Sequence, residues 1–293
     1  MKPYSSPHAT TAAIALLLFL ASTPSPFASS ARAASRDDDG LVLLRQTFED
    51  PRTVFDDWAF DDLAQVGRDP RGAGGHSMRV SYPPAHNGSP RVVQRFDLND
   101  SASSATLSFD MKLHRKFEFV RGGKIHGLGG GTATSGCTPI DEDGWSVRLK
   151  WREHGVPEIY VYHQDRVARC GDQFAAEDFR FERDRWYRID LQVVRNSGPQ
   201  NYDGRAVLYI DGERVVKVKG LRLSGETKVD IDQFLFSTFY GGGSSDYSPS
   251  RTNYIYYDNF SVHRGRVVTG EEGAECELYS GGIYDPRKRV CQK

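Results

Sequence analysis

Two segments with a two-residue hydrophobic period decide the fold: GWSVRLKW at residues 144–151 and EIYVYH at residues 158–163. Successive side chains of a β-strand point to opposite faces of a sheet. In the first segment the tryptophans, valine and leucine therefore share one face, and the serine, arginine and lysine share the other. In the second, isoleucine and valine face inward and two tyrosines face outward. Because only a short link containing Gly155 and Pro157 separates them, the segments are predicted to form a hairpin.

The outward face of this hairpin carries reactive groups. Pairing of the two strands would place Ser146, Arg148, Tyr160 and Tyr162 on one sheet surface. Upstream, the sequence RGGK ends at Lys124, which can reach the same surface. A guanidinium, an ammonium and two phenols together suit the binding and deprotonation of an acidic sugar. Taken singly, each of these residues is equally typical of an ordinary solvated sheet surface.

The rest of the chain shows the same period. Gly, Pro, Asn and Ser clusters separate many short strands, and helical periodicity is scarce, although residues 41–48 are compatible with a short helix or a first strand. We therefore predict an all-β fold, a two-sheet antiparallel β-sandwich of the jelly-roll type. The glycine triplets at 129–131 and 241–243 are predicted to be mobile loops that line a cleft. The predicted strands are Met78–Tyr82, Val92–Phe96, Ala105–Leu113, Phe117–Val120, Trp145–Trp151, Glu158–His163, Trp186–Val194, Ala206–Ile210, Val215–Val218, Phe234–Phe239 and Tyr254–Val262.

The first 33 of the 293 residues are not expected to belong to this fold. They contain an apolar run at 12–21 and a small-residue sequence at 31–33, the pattern of a secretory signal peptide with its cleavage site. The run is shorter than the roughly 20 residues that span a bilayer. We expect a secreted, extracellular product with a jelly-roll domain at 34–266 and a cysteine-stapled tail at 267–293.

The net charge of the chain limits which classes of partner it can bind. Without the signal peptide, 36 basic and 39 acidic residues remain, a net charge of −3. Such a chain has no general basic field for nucleic acid, so a polyanion must be captured by a local cationic groove. We expect a monomer with no nucleic-acid or membrane partner.

The four cysteines agree with an oxidising compartment. They allow three pairings. Cys276 and Cys291 bracket a small loop and are predicted to pair, which leaves Cys137 to pair with Cys170. No Cys-x-x-Cys or Cys/His spacing supports a zinc site instead. Among three Asn-x-Ser triplets, Asn99 is the best candidate for N-glycosylation.

Three motifs occur in an order known from one enzyme family. The segments FVRGGKIHGL at 119–128, DGWSVRLKW at 143–151 and IYVY at 159–162 resemble polysaccharide lyase family 14, which contains alginate lyases and lyases of glucuronate polymers. The resemblance covers residues 48–262, with its specific motifs at 119–162. It implies a β-jelly roll with a concave substrate groove. It also assigns catalytic roles to Lys124, Ser146, Arg148, Tyr160 and Tyr162.

The implied reaction fits these residue types. A lyase removes the C5 proton of a uronate, and a fixed cation stabilises the charge that develops on the adjacent carboxylate. The planar fork of Arg148 suits a carboxylate, and Lys124 can assist it or act as a base. Tyr160 or Tyr162 can take the C5 proton and protonate the leaving O4. This chemistry needs no metal and no cofactor.

Further substrate-binding candidates are less distinctive. Lys112 and His114 share a strand face, and Lys150 lies two residues beyond Arg148. His126 stands where the family commonly has proline, and it is either a determinant of substrate choice or a loop residue with no role.

Two other function classes compete with the lyase. A non-catalytic lectin or binding module for acidic carbohydrate could use the same cations and tyrosines. A glycoside hydrolase needs two carboxylates about 5–10 Å apart across the scissile bond. The alternating acidic strand of laminarinase-like hydrolases is missing here, and no Gly-x-Ser-x-Gly elbow indicates a serine hydrolase.

Overall fold

The computed structural model describes residues 41–49, 62–71 and 75–265, and the backbone of three short strands in the tail. Two short 3₁₀ turns, Glu153–Gly155 and Ser245–Tyr247, are the only helical elements in this part of the chain. Within the described residues, no helix is long and apolar enough to cross a membrane. The strands are β1 (Val42–Gln46), β2 (Ala64–Arg68), β3 (His76–Tyr82), β4 (Val92–Ala102), β5 (Ser104–Leu113), β6 (Gly122–Gly131), β7 (Gly144–Arg152), β8 (Pro157–Tyr162), β9 (Asp172–Ala175), β10 (Trp186–Val194), β11 (Gly204–Ile210), β12 (Glu213–Leu221), β13 (Ile231–Tyr240), β14 (Asn253–Arg264), β15 (Ala274–Glu277), β16 (Tyr284–Asp285) and β17 (Val290–Cys291).

Two large sheets form a β-sandwich, as predicted. The first has the order β15-β12-β11-β10-β5-β14-β3-β2, with β1 also paired to β14. The second has the order β4-β13-β6-β7-β8-β9. All pairs in both sheets are antiparallel except β12 with β15. A two-stranded β16-β17 ribbon lies in the tail.

The core lies between the two sheets and contains the apolar face of β7. Trp145, Val147, Leu149 and Trp151 are all buried. They contact a core that includes Phe109 of β5. Burial of each large side chain stabilises the fold by about 1.5–3 kcal/mol, so a one-residue register slip, which would expose this face, is strongly disfavoured.

Two local predictions are wrong. The first triplet, 129–131, is not a loop but the end of β6, where a side chain on Gly131 would lie 2.0 Å from the carbonyl oxygen of Asp143. These glycines allow close strand approach. Residues 117–120 are a loop because Val120 adopts a positive φ of 39°, although Phe117 still packs into the core. Of the two alternatives for residues 41–48, a short helix or a first strand, the structure has the strand, β1.

Two predictions concern residues or side chains outside the described part. The signal peptide at 1–33 is one, and the Cys276–Cys291 bond is the other. Asn99 is exposed on the edge strand β4, and its glycosylation stays a prediction.

Candidate active site

The centre of the site is a pair of hydrogen-bonded tyrosines on β8. Tyr160 lies opposite Arg148 on β7, and Tyr162 lies opposite Ser146, so the predicted hairpin forms in the register that places both phenols outward. Their hydroxyl oxygens are 3.0 Å apart and their rings meet edge to face. Burial, followed by the hydrogen bond to Tyr162, raises the pKa of Tyr160 above its usual value, while Arg148 and a backbone amide oppose this shift. Either phenol can be the donor of the hydrogen bond between them.

Backbone N–H groups donate to both phenol oxygens. The amide of Cys137 donates to Tyr162 at 2.9 Å, and the amide of Gly171 donates to Tyr160 at 3.1 Å. The predicted Cys137–Cys170 disulfide is present and joins the two loops that supply these amides. The tyrosines are therefore held from outside their own strand.

Arg148 is a buried cation that forms no ion pair with any carboxylate of the described residues. It is only 8% exposed, and in the described part of the chain its Nε atom has no hydrogen-bond partner. Its guanidinium carbon lies 5.6 Å from the ring centroid of Tyr160 and 5.7 Å from that of Tyr162. Burial lowers the pKa of Arg148 from its usual value, and the tyrosines oppose this. Such a guanidinium is available to an anionic ligand.

Lys124 completes the cationic centre. It lies on β6 opposite Lys150, and its Nζ atom is 4.8 Å from the ring centroid of Tyr160. Burial, with repulsion from Lys150 and Arg148, lowers the pKa of Lys124 well below its ordinary value. A carboxylate in the site would therefore meet two cations that face the same phenol.

Lys150 and Ser146 already have partners. Lys150 donates to Glu158 at 2.8 Å and to the side-chain oxygen of Gln173, so its charge is largely balanced within the protein. Ser146 is fully buried, and its hydroxyl donates to the carbonyl oxygen of Thr134 at 2.7 Å. The structure thus places Ser146 behind the site, where it holds the loop that leads to Cys137.

A cavity of 710 Å³ lies on the outer face of the six-stranded sheet, and its lining includes both tyrosines and the three cations but not Ser146. Each of the six strands of this sheet contributes side chains to the cavity wall. In the described residues no group of three or more His, Cys, Asp or Glu side chains is arranged to hold a metal ion. The polar and charged lining residues are Arg91, Gln94, Arg95, Lys124, Ser135, Arg148, Lys150, Tyr160, Tyr162, Gln173, Ser237 and Tyr247.

Several lining residues were missed from the sequence. Arg95 lies on β4 at the far edge of the sheet, and Arg91 directly precedes that strand. Gln173 belongs to β9, a four-residue strand. The alternation of Arg95 with buried Phe96 was a signal that one face of β4 is polar. Nothing local in the sequence shows that this face adjoins Arg148.

Two substrate-binding candidates lie on the other sheet. Lys112 is on β5, where its Nζ atom forms an ion pair with Asp184 at 2.6 Å. His114 follows β5 and meets the ring of Tyr254 edge to face. The structure does not bring either residue to the cavity, because strand order assigns β5 to the nine-stranded sheet.

His126 is buried in the core. The register of β6 against β7 shifts between Ile125 and Gly127, so His126 is an extra residue that does not follow the alternation. Its ring centroid lies 4.2 Å from that of Phe236, and its Nδ1 atom accepts a hydrogen bond from the Ser237 amide at 3.1 Å. Burial lowers the pKa of His126 well below its ordinary value. The structure therefore places it behind the cavity wall, not on the substrate surface.

Several solved structures share the fold of this chain. The marine alginate lyase from Aplysia kurodai shares 21% identity and a TM-score of 0.62, covering 75% of this chain and 98% of that chain. A variant of alginate lyase Aly36B, in complex with alginate trisaccharide, shares 22% identity and a TM-score of 0.61, covering 77% and 99%. The endo-β-1,4-glucuronan lyase from the fungus Trichoderma reesei shares 12% identity and a TM-score of 0.52, covering 76% and 95%.

These three likenesses establish the fold. No curated protein sequence matches the chain. The family model of polysaccharide lyase 14 matches residues 73–260, well over half of the chain, and this span includes all six strands of the cavity sheet. The chain therefore belongs to polysaccharide lyase family 14, a family of lyase enzymes.

Proposed function

We propose that this enzyme is secreted and cleaves a (1→4)-linked uronate polymer by β-elimination, releasing unsaturated oligosaccharides. Polymannuronate, as in alginate, and glucuronan are the proposed substrates. The observation that carries the proposal is the buried guanidinium of Arg148, whose Nε atom has no hydrogen-bond partner among the described residues, beside two phenols whose oxygens are 3.0 Å apart. Structural neighbours named as alginate and glucuronan lyases support the choice of an acidic polysaccharide.

The first step is capture of the uronate carboxylate. A guanidinium binds a carboxylate through two parallel hydrogen bonds, and Arg148 has an unpartnered buried N–H for this purpose. Lys124 adds a second positive charge. Fixed cations beside the carboxylate stabilise the negative charge that develops when the C5 proton leaves.

The second step is proton transfer by the tyrosine pair. One phenol, as phenolate, takes the C5 proton; the C4–O4 bond breaks and a C4=C5 double bond forms. The same phenol then gives that proton to the leaving O4 and returns to phenolate. In β-D-mannuronate and β-D-glucuronate the C5 hydrogen and O4 lie on the same side of the ring. Both transfers can then use the one face on which Tyr160 and Tyr162 lie. General acid–base participation of this kind contributes about 10²–10⁴-fold in rate.

A substrate panel tests the reaction. Polymannuronate, polyguluronate, glucuronan, hyaluronan and pectate are each incubated with the enzyme, and the absorbance of the new double bond and the viscosity are followed. We expect new absorbance with polymannuronate or glucuronan. Hydrolysis would lower viscosity without that absorbance, and a lectin would bind the polymer and change neither signal.

Matched variants test the site. Lys124→Ala and Tyr162→Phe are expected to lose at least 100-fold in kcat, because each removes a group from the reacting centre. Lys112→Ala and Tyr256→Phe are the controls, since both residues lie on the nine-stranded sheet. Full activity of both site variants would refute the assignment.

Secretion has its own test. The prediction is a mature chain that starts after Ala33, and sequencing the amino terminus of the exported protein measures this directly. An exported chain that retains residues 1–33 would contradict it.

A further inference from the structure

Two backbone amides fix the catalytic phenols, and both belong to loops that the disulfide joins. Cys137 supplies the donor to Tyr162, and Gly171, which follows Cys170 directly, supplies the donor to Tyr160. Each phenol oxygen therefore has one amide donor and one tyrosine neighbour. None of the side chains that the family resemblance singles out supplies these donors.

The position of Gly171 admits no side chain. A Cβ atom there would lie 2.7 Å from the carbonyl oxygen of Val161, 2.8 Å from Cε2 of Tyr162 and 2.9 Å from Cε2 of Tyr160. The glycine thus packs against both tyrosine rings, and the close approach brings its N–H to the Tyr160 oxygen. Any larger residue would push the amide away from the phenol.

Cys137 adopts a conformation that needs outside support. Its φ is 65°, in the left-handed region that few non-glycine residues occupy. The disulfide to Cys170 connects this residue to the chain segment that enters β9. Without the bond, the loop before Ser146 is free to relax toward ordinary backbone angles, and the Cys137 amide would then leave the Tyr162 oxygen.

We propose that the Cys137–Cys170 disulfide and Gly171 are positioning residues for the elimination, because together they hold two amide donors on the oxygens of Tyr162 and Tyr160. This inference rests on the proposed function, in which these phenols move the protons. The amides stabilise negative charge on whichever phenol acts as base, in the manner of an oxyanion hole. They also fix the phenol oxygens relative to Arg148.

The pH dependence follows from this arrangement. A hydrogen bond to the charged form of a group favours that form, so losing an amide donor raises the pKa of the phenol that acts as base. Loss of one such bond corresponds to about one to two pH units. The cations around the two rings remain in place and do not compensate. They are Lys124, Lys150 and Arg148 at Tyr160, and Arg148 and Arg166 at Tyr162.

The experiment measures kcat and KM against pH for three forms of the full-length enzyme. These are the wild type, Cys137→Ser/Cys170→Ser and Gly171→Ala. Gly67→Ala is the matched control, because a Cβ atom at Gly67 would meet nothing within 4 Å. We expect both site variants to lose at least tenfold in kcat at neutral pH with KM within about threefold. The acidic limb of the kcat profile should move up by about one pH unit in the variant that displaces the amide from the phenol acting as base.

If a variant does not fold, the disulfide can instead be reduced in the folded wild-type enzyme. Dithiothreitol should lower wild-type kcat to the level of Cys137→Ser/Cys170→Ser and leave that variant unchanged, while circular dichroism shows that the fold persists. Unchanged kcat on reduction, or a loss of kcat with no shift of the acidic limb in either site variant, would overturn the inference. A wild type that makes no unsaturated product refutes the proposed function instead, so the two failures are distinguishable.

Discussion

Replacing Arg148 by methionine should stabilise the protein and inactivate it. The guanidinium is buried, has an unpartnered Nε atom and has no anion among its described neighbours, so the folded protein bears a desolvation penalty without an ion pair to offset it. Exchanging a buried ion pair for apolar groups of similar size is neutral or stabilises by about 1–4 kcal/mol, and a buried charge without an ion partner has less attraction to offset its desolvation. We expect Arg148→Met to raise the free energy of unfolding by about 1–3 kcal/mol. Loss of one preorganised group that stabilises transition-state charge lowers kcat by about 10²–10³-fold.

Lys150→Met is the matched comparison, and its predicted effect on stability has the opposite sign. Lys150 and Glu158 are 3% and 6% exposed, and they pair at 2.8 Å. Removing the lysine leaves a buried carboxylate, a change that destabilises by about 3–5 kcal/mol. Arg152, whose Nε atom is 3.6 Å from Glu158, places the expected loss at the lower end of that range.

Urea unfolding followed by tryptophan fluorescence measures both variants against the wild type, with activity assayed in parallel. If Arg148→Met unfolds at a lower urea concentration than the wild type, with the same dependence of unfolding free energy on urea, the reasoning is refuted. Such a result would mean that the resting protein already satisfies the guanidinium. Equal destabilisation of the two variants would refute it as well, since only Lys150 has a carboxylate partner.

Three further predictions concern stability. Burial raises the pKa of Asp258 to about 6, so folding favours the protonated carboxyl. The resulting contribution to the free energy of unfolding is complete below about pH 3.9, and it is lost as the pH rises through 6. Asp258→Asn should remove this decline in the free energy of unfolding, which amounts to about 2–3 kcal/mol between pH 4 and 7 and is measured by urea titration. His126→Phe should lower stability at pH 8 by about 1–3 kcal/mol, because the Ser237 amide loses its acceptor. Because the pKa of His126 is depressed in the folded protein, the wild type loses stability as the pH drops below about 6.5. The difference in unfolding free energy between wild type and variant should therefore narrow at low pH. A constant difference from pH 8 to 5 would contradict this. Gly127→Ala places a Cβ atom 2.1 Å from a backbone carbonyl oxygen of β7 and 2.6 Å from Cα of Arg148. This substitution should lower both the melting temperature and kcat, whereas the control Gly67→Ala should change neither.

The sequence by itself determined the hairpin that carries the chemistry. The alternation over 144–151 and 158–163 fixes which side chains face the core, since a one-residue slip would expose Trp145 and Trp151. The same alternation assigns Arg148, Tyr160 and Tyr162 to the opposite face. Burial of the apolar face is a local and strong constraint, which is why the predicted and observed strands agree here within one residue.

Tertiary structure decided which other side chains join them. Lys112 and Lys124 are both lysines on strands, yet one forms an ion pair on the nine-stranded sheet and the other faces the phenols. Periodicity describes one strand at a time, whereas membership of a sheet depends on pairing between strands far apart in sequence, such as β4 with β13. The bulge that turns His126 inward likewise depends on the register between β6 and β7, which no local pattern specifies. Local hydrophobicity thus set the direction of the reactive side chains, and non-local strand pairing set their neighbours.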